Sequence, residues 1–178
     1  WQMHSIGQVP TTHRVKWGDI NGDGTDELLS LPIIGVGASA PDYSVKVSLR
    51  AYQIPADPKQ GSWPSVVLDR SMQMSHSLSI ADFNNDGSDD ILTASFYGVH
   101  LIQLASRGQA VAKQYLAMGN QESERPAIGS SEIGIGKVDI ASSNTLGRRF
   151  LATIEPWHGN EVVVYTAGNN KNALWNRE

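Results

Sequence analysis

His13-Arg14-Val15-Lys16-Trp17-Gly18-Asp19-Ile20-Asn21-Gly22-Asp23-Gly24-Thr25-Asp26-Glu27 decides the reading of this chain, because the stretch recurs 63 residues later. The second copy reads His76-Ser77-Leu78-Ser79-Ile80-Ala81-Asp82-Phe83-Asn84-Asn85-Asp86-Gly87-Ser88-Asp89-Asp90, with the histidine, three acids, the asparagine and the glycine in register. A third, eroded copy starts near Glu132, reaches Asp139 57 residues after Asp82, and passes Ser142, Ser143 and Asn144 before the strand-like Phe150-Leu151-Ala152-Thr153-Ile154. Of the loop, this copy keeps only the first aspartate.

A period of this length means stacked supersecondary units. Period-two alternation and β-branched residues between Gly, Pro, Asn and Asp clusters predict strands in each unit. In the first unit they fall near 12–19, 27–33, 44–54 and 64–70, with an insertion around Gly35 to Tyr43. In the second they fall near 76–82, 90–96, 98–105 and 110–117, and in the third near 132–139, 148–155 and 160–166, with a fourth beginning at Ala173. No stretch shows helical periodicity. The expected fold is all-β: β-propeller blades of four antiparallel strands, in units of about 12–70, 76–118 and 132–178. A propeller ring closes with about four to eight blades. The whole of 1–178 is therefore expected to be part of one propeller domain, a partial ring completed by further blades or by other chains. A three-unit β-sandwich is the alternative.

Each loop fits D-x-N-x-D-G-x-x-[DE], which sets oxygen donors at positions 1, 3, 5 and 9 around a glycine turn, with the carbonyl of position 7 as a further donor. Calcium takes six to eight such oxygens at loose geometry. Two Ca2+ sites are expected: Asp19, Asn21, Asp23, the Thr25 carbonyl and Glu27 in one, and Asp82, Asn84, Asp86, the Ser88 carbonyl and Asp90 in the other. An EF-hand would need glutamate at position 12 and flanking helices. Position 12 is Ser30 or Thr93, and the flanks are strands. The competing reading of either loop is a metal-free Asp/Asn/Gly turn. Calcium here would be structural, pinning the hairpin.

His13 and His76 each stand six residues before the first loop aspartate, at the start of the strand that lines a propeller's central channel. Equivalent positions in neighbouring blades adjoin around the axis, so the two imidazoles could converge. Glu132 lies near the equivalent place in the third unit, and Glu155-Pro156-Trp157-His158-Gly159-Asn160 adds an acid, an aromatic ring and a histidine between two strands. Imidazoles with a carboxylate suit a borderline metal such as Zn2+ with an open position. His13, His76 and His158 are its candidate ligands, and His76, His158 and Glu155 are candidate catalytic groups. The bland alternative is histidines that cap strand ends and a tryptophan that packs a corner. His100 and His4 match nothing in the repeat and are expected at the surface.

Other features narrow the partners. The chain of 178 residues is 40% hydrophobic with net charge -4, and its 14 basic residues are scattered, Arg148-Arg149 being the one adjacent pair, so no stripe tracks a phosphate backbone. No window approaches a membrane-spanning length of about 18 apolar residues. Neither nucleic acid nor membrane is an expected partner; a small sugar or carbohydrate is, because Trp157 beside the His158-Gly159-Asn160 turn suits a sugar-binding cleft. The absence of cysteine excludes disulfides and thiolate metal sites. A start at Trp1 suggests a processed or excised piece.

The loops resemble the FG-GAP or VCBS-type repeat of integrin α-subunit propellers and many microbial secreted propellers. That resemblance implies the fold, calcium and an extracellular setting, but no reaction. The His13 to Gly24 segment, Leu31-Pro32-Ile33-Ile34-Gly35, Ala94-Ser95-Phe96-Tyr97-Gly98-Val99, and Ile154 to Tyr165 together are similar to the propeller domain of the aldos-2-ulose dehydratase family. It implies a longer parent protein, a seven-bladed propeller followed by cupin-like domains, and metal-dependent dehydration of keto-sugars such as 1,5-anhydrofructose and glucosone. His13, His76 and His158 are the positions that would carry over as metal or substrate contacts. The competing function is a non-catalytic binding or scaffold propeller of integrin-like or lectin-like kind. A polysaccharide lyase would call for Lys, Arg and Tyr near the channel, and the sequence does not place them there.

Overall fold

The computed structural model describes residues 1–105, 109–138, 148–167 and 173–178. Strands β1 (Thr12–Gly18), β2 (Glu27–Pro32), β3 (Leu49–Tyr52) and β4 (Ser65–Asp69) form the first antiparallel sheet. The second holds β5 (Ser75–Ala81), β6 (Asp90–Ser95), β7 (Gly98–Ala105) and β8 (Gln109–Ala117). The third holds β9 (Ile133–Val138), β10 (Arg148–Glu155), β11 (Glu161–Thr166) and β12 (Asn176–Arg177). Each sheet is a four-stranded meander in chain order, and no helix occurs among the described residues. The third-unit loop residues Asp139, Ser142, Ser143 and Asn144 lie outside the described residues.

Alternation along the strands explains how the sheets stack. Neighbouring residues of a strand point to opposite faces. Ile91 and Ile102 of the second sheet accordingly join Leu29, Leu31, Leu49 and Ala51 of the first, while Leu92 and Leu101 join Leu151, Val163 and Tyr165 of the third. The second sheet is thus apolar on both sides, and β6 is buried along its whole length. The first strands come together: β1 lies beside β5, and β5 beside β9. Gly18 permits this approach, since a Cβ there would collide with Ile80. Face-to-face sheets whose first strands share an axis are propeller blades, not a sandwich.

Three details depart from expectation. The strand expected over 44–54 is only Leu49–Tyr52, because the stretch before it is tied to the link between blades: Val47 N–H donates to Met72 O at 2.9 Å, and Gln73 Nε2 to Ser44 O at 2.8 Å. The last strand begins at Asn176, not Ala173, because Trp175 docks on the second blade, its N–H 2.7 Å from Leu116 O and its ring stacked on Phe83. His100, expected at the surface, is 0% exposed, packed edge-on to Tyr115 at a centroid distance of 4.4 Å. Its neighbours on β7 also face inward, which a comparison of repeats does not reveal.

Candidate functional site

The β1–β2 pairing skips a residue between Thr12 and Arg14, and the β5–β6 pairing skips one between Ser75 and Ser77. The extra residues are His13 and His76. In the third blade Ile133 pairs with Thr153 while Ser131 N–H donates to Ile154 O at 3.0 Å, which makes Glu132 the extra residue there. A bulge bends its strand and re-aims a side chain. Three successive blades therefore offer His13, His76 and Glu132 from equivalent positions at one end of the axis. Two residues before each histidine bulge, Thr11 (φ 60°) and Met74 (φ 44°) take the left-handed conformation, a costly state for residues with a Cβ that often marks functional sites.

His76 sits at the middle of the group. Its ring centroid is 4.7 Å from that of His13 and 4.7 Å from that of His158, and its Nδ1 is 2.8 Å from Glu132 Oε1. Arg14 Nη2 meets the same Oε1 at 2.6 Å. His158, itself at φ 52°, projects from the β10–β11 turn, which topology sets at the same end as the starts of β5 and β9. Trp157 stacks under His158 at 5.1 Å and meets His76 edge-on at 5.3 Å. Below it lies an apolar cluster with Phe96, Met74 and Ile128. Burial pushes the basicity of His76 down, opposed by Glu132 and reinforced by Arg14, His13 and His158. His13 is lowered first by partial burial and then by the Arg14 charge.

The sequence brought His13, His76, His158 and Glu132 to attention, and the structure gathers them. Glu155 is placed differently: its carboxylate is fully buried and accepts from Thr153 Oγ1 (2.7 Å), Tyr165 Oη (2.8 Å) and Ser130 Oγ (3.2 Å), with Arg177 Nε at 3.3 Å. None of these partners is an imidazole, and Glu155 instead anchors the strand end from which Trp157 and His158 project. Arg14 was missed. It follows a repeated histidine, but its counterpart in the second copy is Ser77, so alignment of the repeats hides it.

The two aspartate loops lie at the other end of β1 and β5, one seven-residue strand away, roughly 20 Å at strand rise. Their backbone-to-side-chain bonding is the same, although the Asn21 amide donates to Glu27 and the Asn84 amide to Asp86. Asp19 accepts from the N–H groups of Asp23 (3.0 Å) and Gly24 (2.9 Å), as Asp82 does from Asp86 and Gly87 (both 3.1 Å). Asn21 and Asn84 accept from Asp23 and Asp86 at 2.9 and 2.8 Å, and Asp23 and Asp86 accept from Thr25 and Ser88 at 2.8 and 2.9 Å. Glu27 and Asp90, at position 9, are buried. Burial, with neighbouring acids, pushes Glu27 up to about 7, and burial also raises Asp90.

Among the described residues no three His, Asp or Glu side chains converge on one ion position. Both sets match a metal in donor type. The loops supply oxygen donors, with a buried carboxylate in each, which suits a hard ion such as calcium. The imidazole group carries nitrogens, which suit a borderline ion.

Stacked four-stranded blades with imidazoles and a carboxylate gathered at one end of the axis define a β-propeller domain with a polar axial site. The model of the aldos-2-ulose dehydratase β-propeller domain family matches residues 1–168, and the chain belongs to that family. No curated protein matches the chain.

Proposed function

We propose that this domain carries the axial site of a carbohydrate lyase that dehydrates a keto-sugar such as 1,5-anhydrofructose or glucosone, in a ring completed by further blades or other chains. The observation that carries the reading is the meeting of His13, His76 and His158, from three blades, beside Glu132 and over Trp157. Elimination needs a base to take the proton from the carbon beside the carbonyl; that electron pair becomes the C=C bond as the neighbouring hydroxyl leaves with a proton as water. His76, its basicity held down by burial, carries the lone pair required at neutral pH. His158, exposed at the mouth, reaches the leaving hydroxyl, and the buried indole stacked beneath it supports its ring. In a metal-bound alternative, His13, His76 and His158 would hold a zinc-like ion that would polarise the carbonyl, and those imidazoles would then not also act as acid or base. Glu155 serves the site by holding the β10–β11 turn, and in the metal-free site the imidazoles take the proton.

The loops Asp19 to Glu27 and Asp82 to Asp90 are proposed to bind one Ca2+ each, in the manner of FG-GAP or VCBS-type repeats, and to fix the hairpins at the far end. An extracellular location fits, because calcium there is plentiful enough for weak structural sites. The test is turnover of glucosone or 1,5-anhydrofructose by the intact protein, followed through the enone absorbance. His76→Ala should lose about 100-fold or more in kcat with its Tm unchanged. Undiminished turnover would sink the catalytic reading and leave a calcium-stabilised binding or scaffold propeller.

A further inference from the structure

We propose that Glu132 and Arg14 are positioning residues that hold His76 in its Nδ1–H tautomer, so that Nε2 presents the lone pair used at the axial site. The inference rests on the reading of His76 as a functional group, and concerns which of its nitrogens acts. Nδ1 lies 3.2 Å from the Ser131 carbonyl in hydrogen-bonding geometry and 2.8 Å from the charged Glu132 Oε1. The carbonyl can only accept from a protonated Nδ1, and the carboxylate charge favours the proton on that nitrogen. The opposing contact, Arg14 Nη2 at 3.4 Å from Nδ1, is long, and that same nitrogen makes its close bond to Glu132 Oε1 at 2.6 Å. A charged acceptor at short range outweighs a donor at the limit of hydrogen bonding. The tautomer of a histidine is set by the bond its other nitrogen makes, and a carboxylate partner in this role fixes both ring orientation and basicity.

The three members come from three blades: Arg14 from β1, His76 from β5 and Glu132 from the start of β9. Glu132 thereby ties its own blade to both preceding blades through a single oxygen. The bulges make this possible, since the added residue in each inner strand turns His76 and Glu132 toward each other across the axis. Arg14 neutralises Glu132, so the pair adds no net charge, which fits an uncharged sugar better than a polyuronate.

The test is the neutral tautomer of His76 in the 178-residue chain, read from long-range 1H–15N correlations of 15N-histidine protein at pH 8 in metal-free buffer. His76 resonances are assigned by their loss in His76→Gln. The expected result is a proton on Nδ1 and a pyridine-like Nε2, against the intrinsic preference of free imidazole for Nε2–H. Glu132→Ala should raise the Nε2–H population, Glu132→Asp should restore part of the native form, and Arg14→Gln should fall between native and Glu132→Ala. In the intact protein Glu132→Ala should lower kcat by about 10- to 100-fold with KM little changed. His76 found as Nε2–H in the native chain, or a tautomer unmoved by Glu132→Ala, overturns the proposal. Loss of the sheet far-UV signal in Glu132→Ala transfers the decision to native His76 and Arg14→Gln. A native Nδ1–H form together with undiminished turnover in His76→Ala would leave the positioning pair standing and remove the catalytic reading alone.

Discussion

Both ring nitrogens of His100 lack a hydrogen-bond partner among the described residues, and burial, with Lys113 nearby, pushes its pKa down to about 3. The unfolded chain takes up that proton near pH 6.5, whereas the folded chain resists it. Stability from this group is therefore whole above pH 6.5 and falls as pH drops, by about 1.4 kcal/mol per unit until the folded pKa is reached. In saturating calcium, so that Glu27 and Asp90 do not shift the balance the other way, Tm should decline through this window, and His100→Leu should flatten the decline. An unchanged slope in the variant would assign the acid limit to other groups. Glu155 is also fully buried, and its hydrogen bonds compensate the carboxylate. Glu155→Ala should destabilise by about 3 kcal/mol or more, seen in urea unfolding, because Tyr165, Thr153 and Arg177 lose their shared acceptor. At this scale the sequence was legible where residues repeat. His13 and His76 stood out because the same histidine precedes the same loop twice; Arg14 and His100, each present in one blade only, gave no signal until strands brought them beside Glu132 and Tyr115.

The hairpin loops are the elements in which sequence and structure agree most closely. Four backbone-to-side-chain bonds of loop one recur at the same positions of loop two, and even the left-handed position is matched, Gly22 (φ 72°) by Asn85 (φ 58°). Asparagine tolerates that conformation through its short polar side chain. Gly22→Ala should be worse than a change in an open turn, since its Cβ would meet the Ser88 hydroxyl of the next blade and its φ is unfavourable; a loss of about 1–2 kcal/mol is expected. With calcium at about one hundred times its Kd, each occupied loop should add about 2.7 kcal/mol, so chelation should lower Tm, and Glu27→Ala should remove part of that response. A Tm indifferent to chelator would return both loops to the class of metal-free turns. Strand boundaries were legible within a few residues except where a segment bonds across blades. The 44–48 stretch and Trp175 are instances, and no local pattern announces a partner in the next unit. The bulges that aim the histidines were likewise invisible, since an extra residue in a strand leaves the composition unchanged.

For the whole molecule, one repeat period was enough to reach blades, and the shared axis of β1, β5 and β9 turned a list of strands into an arrangement with two distinct ends. Its outer face on the first blade carries Val15 (56% exposed) and Trp17 (49% exposed) beside the segment Ile6 to Pro10. Apolar surface of this kind is covered in a ring by the neighbouring blade. The 178-residue chain alone should therefore self-associate in size-exclusion chromatography with light scattering, and Val15→Thr with Trp17→Gln should reduce it. A strictly monomeric native chain would mean that this face needs no cover. The division of labour between the two ends is tested most directly by anomalous diffraction from crystals grown with calcium and zinc. The account predicts calcium peaks within the Asp19 to Glu27 and Asp82 to Asp90 loops, and zinc, where it binds, at His76 Nε2. Calcium absent from both loops, or zinc seated in the loops with none at the imidazoles, would contradict it.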